Sequence, residues 1–96
     1  MSQKRVLLII PAYNEERNIE KTIGQILSFP PQEGFSLDYL VINDGSRDRT
    51  GQICHQHGYP CVDLVQNLGI GGAVQTGYLF AARQGYDVAV QFDGDG

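Results

Sequence analysis

The amino-acid sequence predicts an α/β fold, a three-layer sandwich in which helices cover both faces of a mainly parallel sheet. Strand and helix signals alternate along the 96 residues in the order β-α-β-α-β-α-β. The segments between strands are long enough for helices and too long for hairpins, which calls for parallel pairing with right-handed crossovers. Polar or glycine-rich clusters follow the strands at one end, where ligands bind in sheets of this type.

The first strand and the first helix are predicted within residues 5–31. The near-continuous apolar run from Arg5 to Ile10 is typical of a strand covered on both faces. Asn14 is expected to cap the helix, with Glu15 and Glu16 in the first turn, where the helix dipole favours negative charge. Apolar residues then recur at helical spacing until two prolines end the segment. These residues are Ile19, Ile23, Ile26, Leu27, Pro30 and Pro31.

The middle of the chain continues the alternation. A second strand is predicted from Leu37 to Asn43, followed by a turn at Asp44-Gly45-Ser46. A helix from about Asp48 to His57 stops at Gly58. A third strand then covers Cys61 to Gln66.

The last part of the chain supplies one more helix and strand. Residues 67–72 are a glycine-rich loop, and a helix from Ala73 to Arg83 follows. Residues 88–92 are short, β-prone and alternate in side-chain character, so they are predicted to form the fourth strand.

Composition limits the classes of function. The chain is 42% hydrophobic and 19% charged, which is ordinary for a globular domain, and its net charge of −4 argues against a nucleic-acid binder. The apolar run Val6 to Ile10 is far shorter than a membrane span or a signal-peptide core. A cytoplasmic location is therefore expected, and any membrane association of a longer parent protein would come from later sequence.

The cysteines and histidines suggest zinc only superficially. Cys54, His55, His57 and Cys61 are close together, but their spacing matches none of the standard zinc patterns. Two reduced, mostly buried thiols and two surface imidazoles are the better interpretation.

Two carboxylates follow the fourth strand. Asp93 and Asp95 lie two residues apart, on one side of an extended backbone, and Gly94 allows the chain to bend so that they converge. Two like charges this close repel each other unless a cation lies between them. Mg²⁺ or Mn²⁺ fits, because these ions prefer oxygen ligands and commonly bind phosphate oxygens as well. The alternative is a solvated Asp-Gly turn.

Several nucleotide and hydrolase signatures do not fit. The third loop lacks the Gly-x-Gly-x-x-Gly pattern because position 74 is valine, and it follows the third strand rather than the first. No Walker Lys-Ser/Thr pair follows the glycines, and no Gly-x-Ser-x-Gly elbow is present. The chemistry that remains is carboxylates and a metal ion at a nucleotide-binding crevice.

Four motifs in a fixed order make the chain recognisable. They are Ile10-Pro11-Ala12-Tyr13-Asn14-Glu15-Glu16, Val41-Ile42-Asn43-Asp44-Gly45-Ser46-x-Asp48-x-Thr50, Asn67-x-Gly69-x-Gly71-Gly72-Ala73 and Asp93-x-Asp95. Together they resemble the nucleotide-binding half of the family 2 glycosyltransferases of GT-A-type fold, particularly members such as the polyprenyl (dolichyl) phosphate sugar transferases. The resemblance implies the spatial strand order 3-2-1-4. It also implies that residues 1–96 are the N-terminal nucleotide-binding part of a glycosyltransferase domain, truncated after the Asp-x-Asp motif.

The resemblance also implies roles for individual residues. Nucleotide contacts carry over to residues of all four motifs, with the Asp-x-Asp motif holding the ribose and the metal ion on the diphosphate. These residues are Pro11, Ala12, Tyr13, Glu15, Asp44, Asn67, Gly71 and Asp93. Asp93 and Asp95 would hold Mg²⁺ or Mn²⁺ on the diphosphate. No catalytic residue carries over, because the acceptor side of the family's site comes from the second half of the domain.

The chain departs from the family pattern at two positions. Asn43 replaces an aspartate found in many members, while Asp44 is matched. Ile70 stands where many members have lysine or arginine, so no cationic contact to phosphate is expected there. Purely structural roles remain open as well, as helix caps for Asn14 and Glu15 and as small packing residues for Gly71 and Gly72.

The implied activity is transfer of a sugar from a UDP- or GDP-linked donor to an acceptor, a polyprenyl phosphate or a growing glycan, as in cell-wall or polysaccharide synthesis. The isolated chain is expected to be inactive. It is also expected to self-associate through the uncovered edge of the fourth strand, at Val88, Val90 and Phe92. One alternative is a non-catalytic nucleotide-binding or assembly module. Another is a sugar-nucleotide nucleotidyltransferase, although residues 11–16 lack the glycine- and arginine-rich loop of those enzymes.

Overall fold

A computed structural model describes residues 3–93 of the chain. Over this range four parallel strands form one sheet in the order β3-β2-β1-β4, as the sequence predicted. The elements are β1 (Lys4–Ala12), α1 (Ile19–Leu27), β2 (Phe35–Asn43), α2 (Thr50–His57), β3 (Cys61–Asp63), α3 (Gly69–Arg83) and β4 (Val88–Gln91). Within residues 3–93, none of the helices has both the length and the hydropathy needed to cross a membrane.

Strand β1 lies in the interior of the sheet. It pairs with β2 along its whole length, from Lys4 opposite Phe35 to Ala12 opposite Asn43. On its other side it pairs with β4, from Val6 opposite Val88 to Ile9 opposite Gln91. Because all pairs are parallel, the carboxyl ends of the strands lie along one edge of the sheet, called here the carboxyl rim.

Two apolar cores, one on each face of the sheet, account for the continuous apolar run of β1. Leu8 and Ile10 point to one face and join the core that contains residues of α1 and α2. Leu7 and Ile9 point to the other face and join the core formed with α3. Alternate side chains of a strand point to opposite faces, so a strand covered on both sides must be apolar at every position.

Helix α3 packs closely on the sheet at Gly77. A Cβ atom at this position would overlap the side chain of Ile9. At Gly71 a Cβ atom would meet open space, and at Gly72 it would meet Leu68 of the preceding turn. The close helix–strand packing considered for Gly71 and Gly72 therefore belongs to Gly77.

The prediction that Asn14 caps α1 is wrong, because this helix begins at Ile19. Asn14 has a φ of +53°, a left-handed conformation that does not continue into a helix. Residues 15–18 form a turn instead, in which the Glu15 carbonyl accepts bonds from the N–H groups of Asn18 and Ile19. Glu20, rather than Glu15 or Glu16, is the acidic residue in the first turn.

Two further boundaries differ from the prediction. Strand β3 stops at Asp63 instead of Gln66 and pairs only with residues 41–43 of β2. Helix α3 begins at Gly69, so the last four of the six residues in the predicted glycine-rich loop are helical.

Strand β4 has exposed apolar side chains. Val88 and Val90 are 44% and 45% exposed. Phe92, just beyond the strand, packs edge-to-face on Phe29 with ring centroids 6.1 Å apart.

An apolar cavity of about 940 Å³ lies toward the amino ends of the strands. It is beside residues 35–40 of β2, which β3 does not reach.

Candidate functional site

A pocket of about 360 Å³ opens at the carboxyl rim, between the loops that follow β1, β2 and β3. It is called here the rim pocket. Its lining residues are Pro11, Ala12, Tyr13, Asp44, Asn67, Gly69 and Ile70. The first five were predicted as nucleotide contacts from the sequence, and the structure brings them together. Gly69 and Ile70 complete the lining without having been assigned a role.

Asp44 is the buried carboxylate of the rim pocket, with 3% of its surface exposed. Its Oδ1 accepts a hydrogen bond of 2.7 Å from the Leu68 N–H, and its Oδ2 accepts one of 3.2 Å from Nδ2 of Asn67. Its own N–H donates to the Ala12 carbonyl at 2.8 Å. A carboxylate offers about four acceptor sites, so these bonds leave capacity for a ligand N–H.

Gly45 allows the second and third loops to touch. Its φ is +68°, and a Cβ atom here would lie 2.6 Å from the backbone nitrogen of Asn67. The Nδ2 group of Asn67 donates both to the carboxylate of Asp44 and, at 3.1 Å, to its carbonyl oxygen. The side-chain amide of Asn67 is thus directed toward Asp44. Tyr13, on the first loop, is 46% exposed and presents an aromatic ring to the pocket.

Glu15 and Gly71, which were also predicted to contact nucleotide, lie outside the pocket lining. Gly71 is exposed in the first turn of α3. Glu15 is partly buried, and its backbone is held by the second loop.

A set of hydrogen bonds joins the first loop to the second and is called here the loop bridge (residues 14–16 with 46–50). The Glu15 N–H donates to Oγ1 of Thr50 at 2.8 Å, and the Glu16 N–H donates to Oδ2 of Asp48 at 3.2 Å. The Thr50 hydroxyl donates to Oδ1 of Asp48 at 2.5 Å. Thr50 is fully buried.

Asn14 adds two bonds to the loop bridge. Its N–H donates to Oγ of Ser46 at 3.0 Å, and its Oδ1 accepts from the Arg47 N–H at 2.9 Å. Asparagine is among the residues that best tolerate positive φ, and these contacts hold it there. The sequence motif contained Ser46, Asp48 and Thr50, but their partners in the first loop could not be read from it.

The loop bridge favours the ionised form of Asp48. Burial raises the pKa of this carboxyl, but the hydrogen bonds from Thr50 and Glu16 outweigh burial, and the pKa lies below its ordinary value of 3.8. A carboxyl with a lowered pKa in the folded state stabilises the fold above its unfolded-state pKa, and the contribution is lost as pH falls through the folded-state value. The bridge is therefore intact at neutral pH and weakens only below about pH 4.

Asp93 lies at the same rim, directly after β4. The Phe92 N–H donates to the Ile9 carbonyl at 2.8 Å, so the parallel register continues and brings Asp93 level with the end of β1. The carboxylate is exposed and accepts bonds of 3.0 and 3.2 Å from Nε2 of Gln91. Its predicted partner Asp95 lies outside the described residues. Within residues 3–93, no group of three or more His, Cys, Asp or Glu side chains is arranged to hold a metal ion.

Asn43, which replaces the aspartate of many family members, is hydrogen-bonded to Asp63. Asn43 is buried, and its Nδ2 donates to Oδ1 of Asp63 at 2.9 Å. Its Oδ1 accepts from the Ser46 N–H at 3.3 Å, which connects it to the turn after β2. The bond from Asn43, together with one from His55, lowers the pKa of Asp63 despite partial burial.

The cysteines and histidines are arranged as predicted. Both thiols are free, Cys54 is buried and Cys61 is partly buried. Hydrogen bonding to Cys54, burial and the nearby Asp63 carboxylate raise the pKa of Cys61, which keeps this thiol protonated. Both imidazoles are exposed, with Nε2 of His55 bonded to Asp63 and Nε2 of His57 lying 2.8 Å from Oε1 of Glu20.

Comparison with known proteins gives a consistent assignment. The model of one family, described as glycosyl transferase family 2, matches residues 7–96. A polyprenol monophosphomannose synthase of Mycolicibacterium smegmatis is 34% identical over 99 residues, covering 97% of this chain and 36% of the relative. An undecaprenyl-phosphate mannosyltransferase of Micrococcus luteus is 36% identical over 97 residues, covering 96% of this chain and 38% of the relative.

A third relative and a solved structure extend the comparison. A UDP-N-acetylglucosamine–dolichyl-phosphate N-acetylglucosaminyltransferase of Methanococcus voltae is 32% identical over 113 residues, covering all of this chain and 43% of the relative. The crystal structure of S. aureus TarS 1–349 superposes with a TM-score of 0.68 at 23% identity, over 95% of this chain and 27% of that one. This likeness supports the GT-A-type fold. The chain spans less than half the length of each of these proteins.

Proposed function

The chain belongs to glycosyl transferase family 2, and from this premise we propose that it binds the nucleoside diphosphate of a UDP- or GDP-linked sugar that is transferred to an acceptor. The observation that carries the proposal is the rim pocket, which unites residues of three family motifs around the buried carboxylate of Asp44. In this proposal, residues 1–96 supply the N-terminal nucleotide-binding part of the glycosyltransferase domain.

The nucleoside is assigned to the rim pocket. Its volume of about 360 Å³ lies within the range of small-molecule sites. Tyr13 offers an aromatic face for the base. Asp44 has acceptor capacity for a ring N–H of the base, which is the imide N–H in uracil and the lactam N–H in guanine, and a carboxylate makes such a bond charge-assisted.

The diphosphate and its metal ion are assigned to Asp93 and Asp95. The described residue of this pair, Asp93, is an exposed carboxylate at the rim, and its hard oxygen donors suit Mg²⁺ or Mn²⁺. Mg²⁺ is usually held by one or two carboxylates together with substrate phosphates, so a large protein cage is not required. When bound, the ion would neutralise the negative charge that grows on the departing diphosphate.

The reaction is a substitution at the anomeric carbon of the sugar. An acceptor oxygen forms the new bond while the bond to the diphosphate oxygen breaks, and the electron pair leaves with the nucleoside diphosphate. A polyprenyl phosphate acceptor is already ionised and needs no general base, whereas a hydroxyl acceptor requires one. The names of the relatives, which include polyprenol, undecaprenyl phosphate and dolichyl phosphate, favour a lipid phosphate.

Titration calorimetry with UDP and with GDP, with and without Mn²⁺, tests the proposal. We expect one of the two nucleotides to bind in a metal-dependent manner, and we expect Asp93→Ala and Asp95→Ala to abolish that dependence. ADP serves as the control ligand, because adenine has no ring N–H on the corresponding edge. Glu33→Ala, an exposed carboxylate before β2, serves as the control variant.

Two outcomes would contradict the proposal. One is the absence of binding of both UDP and GDP to the folded chain. The other is binding that is equally strong without metal or after Asp95→Ala, because this would remove the diphosphate from the carboxylate pair.

A further inference from the structure

The loop bridge connects residues that the family motifs place far apart. Its acceptors, Asp48 and Thr50, lie at the start of α2, and its donors are the N–H groups of Glu15 and Glu16 in the first loop, more than thirty residues away along the chain. The same first loop contributes Tyr13 to the rim pocket. The position of Tyr13 relative to Asp44 therefore depends on how firmly the first loop is attached to the second.

We propose that Asp48 and Thr50 are positioning residues that hold the first loop at the distance from Asp44 that nucleotide binding requires. The proposal rests on the proposed function of the rim pocket. Neither residue lines the pocket, so both act through the backbone of residues 14–16.

The Thr50 hydroxyl is suited to this task because it uses both of its hydrogen-bonding capacities at once. It accepts from the Glu15 N–H and donates to Asp48, in a position where Thr50 is fully buried. The Glu15 N–H is partly buried, and removing the acceptor of such a donor costs free energy because the donor is left unsatisfied. Loss of the hydroxyl therefore leaves the Glu15 N–H without a partner and favours displacement of the loop.

Asp48 is suited to the second half of the bridge because its two oxygens face different segments. Oδ1 accepts from both the hydroxyl and the N–H of Thr50, and Oδ2 accepts from the Glu16 N–H. The first pair of bonds orients the carboxylate on α2, and the remaining bond reaches the first loop. The Asp48 side chain thus bonds to both segments.

Thr50→Val tests the proposal, since valine has nearly the same shape as threonine but no hydroxyl. We expect hydrogen exchange at the Glu15 amide, followed by NMR, to accelerate at least about tenfold, and the affinity for UDP or GDP to fall by about the same factor, equivalent to ~1.4 kcal/mol. Thr50→Ser keeps the hydroxyl and should restore both quantities to near wild type. Asp48→Asn should accelerate exchange at Glu16 more than at Glu15.

Thr76→Val is the matched control, because the Thr76 hydroxyl bonds to the Gly72 carbonyl within α3 and not to the loop bridge. It should leave exchange at Glu15 and nucleotide affinity unchanged. All affinities are measured well below the melting temperature of each variant, so that a loss of folded protein is not counted as a loss of binding.

The outcomes separate the two proposals. Unchanged exchange at Glu15 in Thr50→Val would refute the bridge itself. Accelerated exchange with unchanged nucleotide affinity would refute its role in positioning the pocket. If the wild-type chain binds neither UDP nor GDP, the proposed function fails, and with it the role in nucleotide binding, whereas the exchange data still decide whether Asp48 and Thr50 hold the loop.

Discussion

Replacement of Asp44 should affect both folding and nucleotide binding, because its carboxylate contacts the third loop and faces the rim pocket. In Asp44→Ala the partly buried N–H of Leu68 loses its 2.7 Å acceptor, and Asn67 loses a longer bond of 3.2 Å. Hydrogen bonds to charged groups contribute about 1.5–3 kcal/mol and neutral ones about 1 kcal/mol. The loss of unfolding free energy is thus expected to be about 2–4 kcal/mol, and a domain of this size should melt roughly 10–25 °C lower.

Asp44→Asn distinguishes the two roles. Its amide oxygen can still accept from the Leu68 N–H, whereas its NH₂ group faces the NH₂ group of Asn67, so a smaller loss of about 1 kcal/mol is expected. The charge that would strengthen a bond to a base N–H is gone, so affinity for UDP or GDP should fall about tenfold or more. Thermal unfolding and calorimetry on the same samples measure both effects, with Glu33→Ala as the control.

The reasoning about Asp44 can fail in two separate ways. An unchanged melting temperature in Asp44→Ala would mean that the bonds to Asn67 and Leu68 contribute little to stability. An unchanged nucleotide affinity in folded Asp44→Asn would mean that the carboxylate only anchors the start of α3.

Two other predictions concern packing and association. Gly77→Ala should lower the free energy of unfolding by about 1–3 kcal/mol because the new methyl group overlaps Ile9. Gly71→Ala, which points into open space, should be neutral or slightly stabilising, and equal melting temperatures for the two variants would contradict the packing argument. Val90→Lys should reduce self-association measured by sedimentation across a range of concentrations, since Val90 is 45% exposed on β4. A wild-type chain that remains monomeric at high concentration would show that this edge does not recruit a second copy.

The fold was predictable because its signals are local. A short window of sequence contains the apolar run of β1 or the helical spacing of α1. The order of strands and helices follows when such windows are read one after another. The family resemblance then supplied the strand order, which the sheet confirms.

The wrong boundaries have non-local causes. Asn14 has the composition of a helix cap, but its side chain bonds to Arg47 and its backbone adopts a positive φ, so the helix starts later. The length of β3 depends on how far β2 extends beside it, which no window around residues 61–66 contains.

The candidate site was predictable in part, for the residues that directly follow the strands. Motif residues such as Tyr13 and Asp44 could be assigned to one pocket because the carboxyl ends of parallel strands meet at one rim. The loop bridge could not be predicted, because the acceptors at Asp48 and Thr50 and the donors at Glu15 and Glu16 are joined only by the tertiary structure.

The bond between Asn43 and Asp63 makes these two positions dependent on each other. An aspartate at position 43 would place two carboxylates within about 3 Å, one of them buried beside the turn that carries Asp44, and their repulsion would favour protonation of one of the pair. The local structure would then change with pH as that proton is gained or lost. A neutral hydrogen-bonding residue at position 63 would remove this repulsion. Aspartate at position 43 is therefore expected to be tolerated better together with a neutral residue at position 63 than alone.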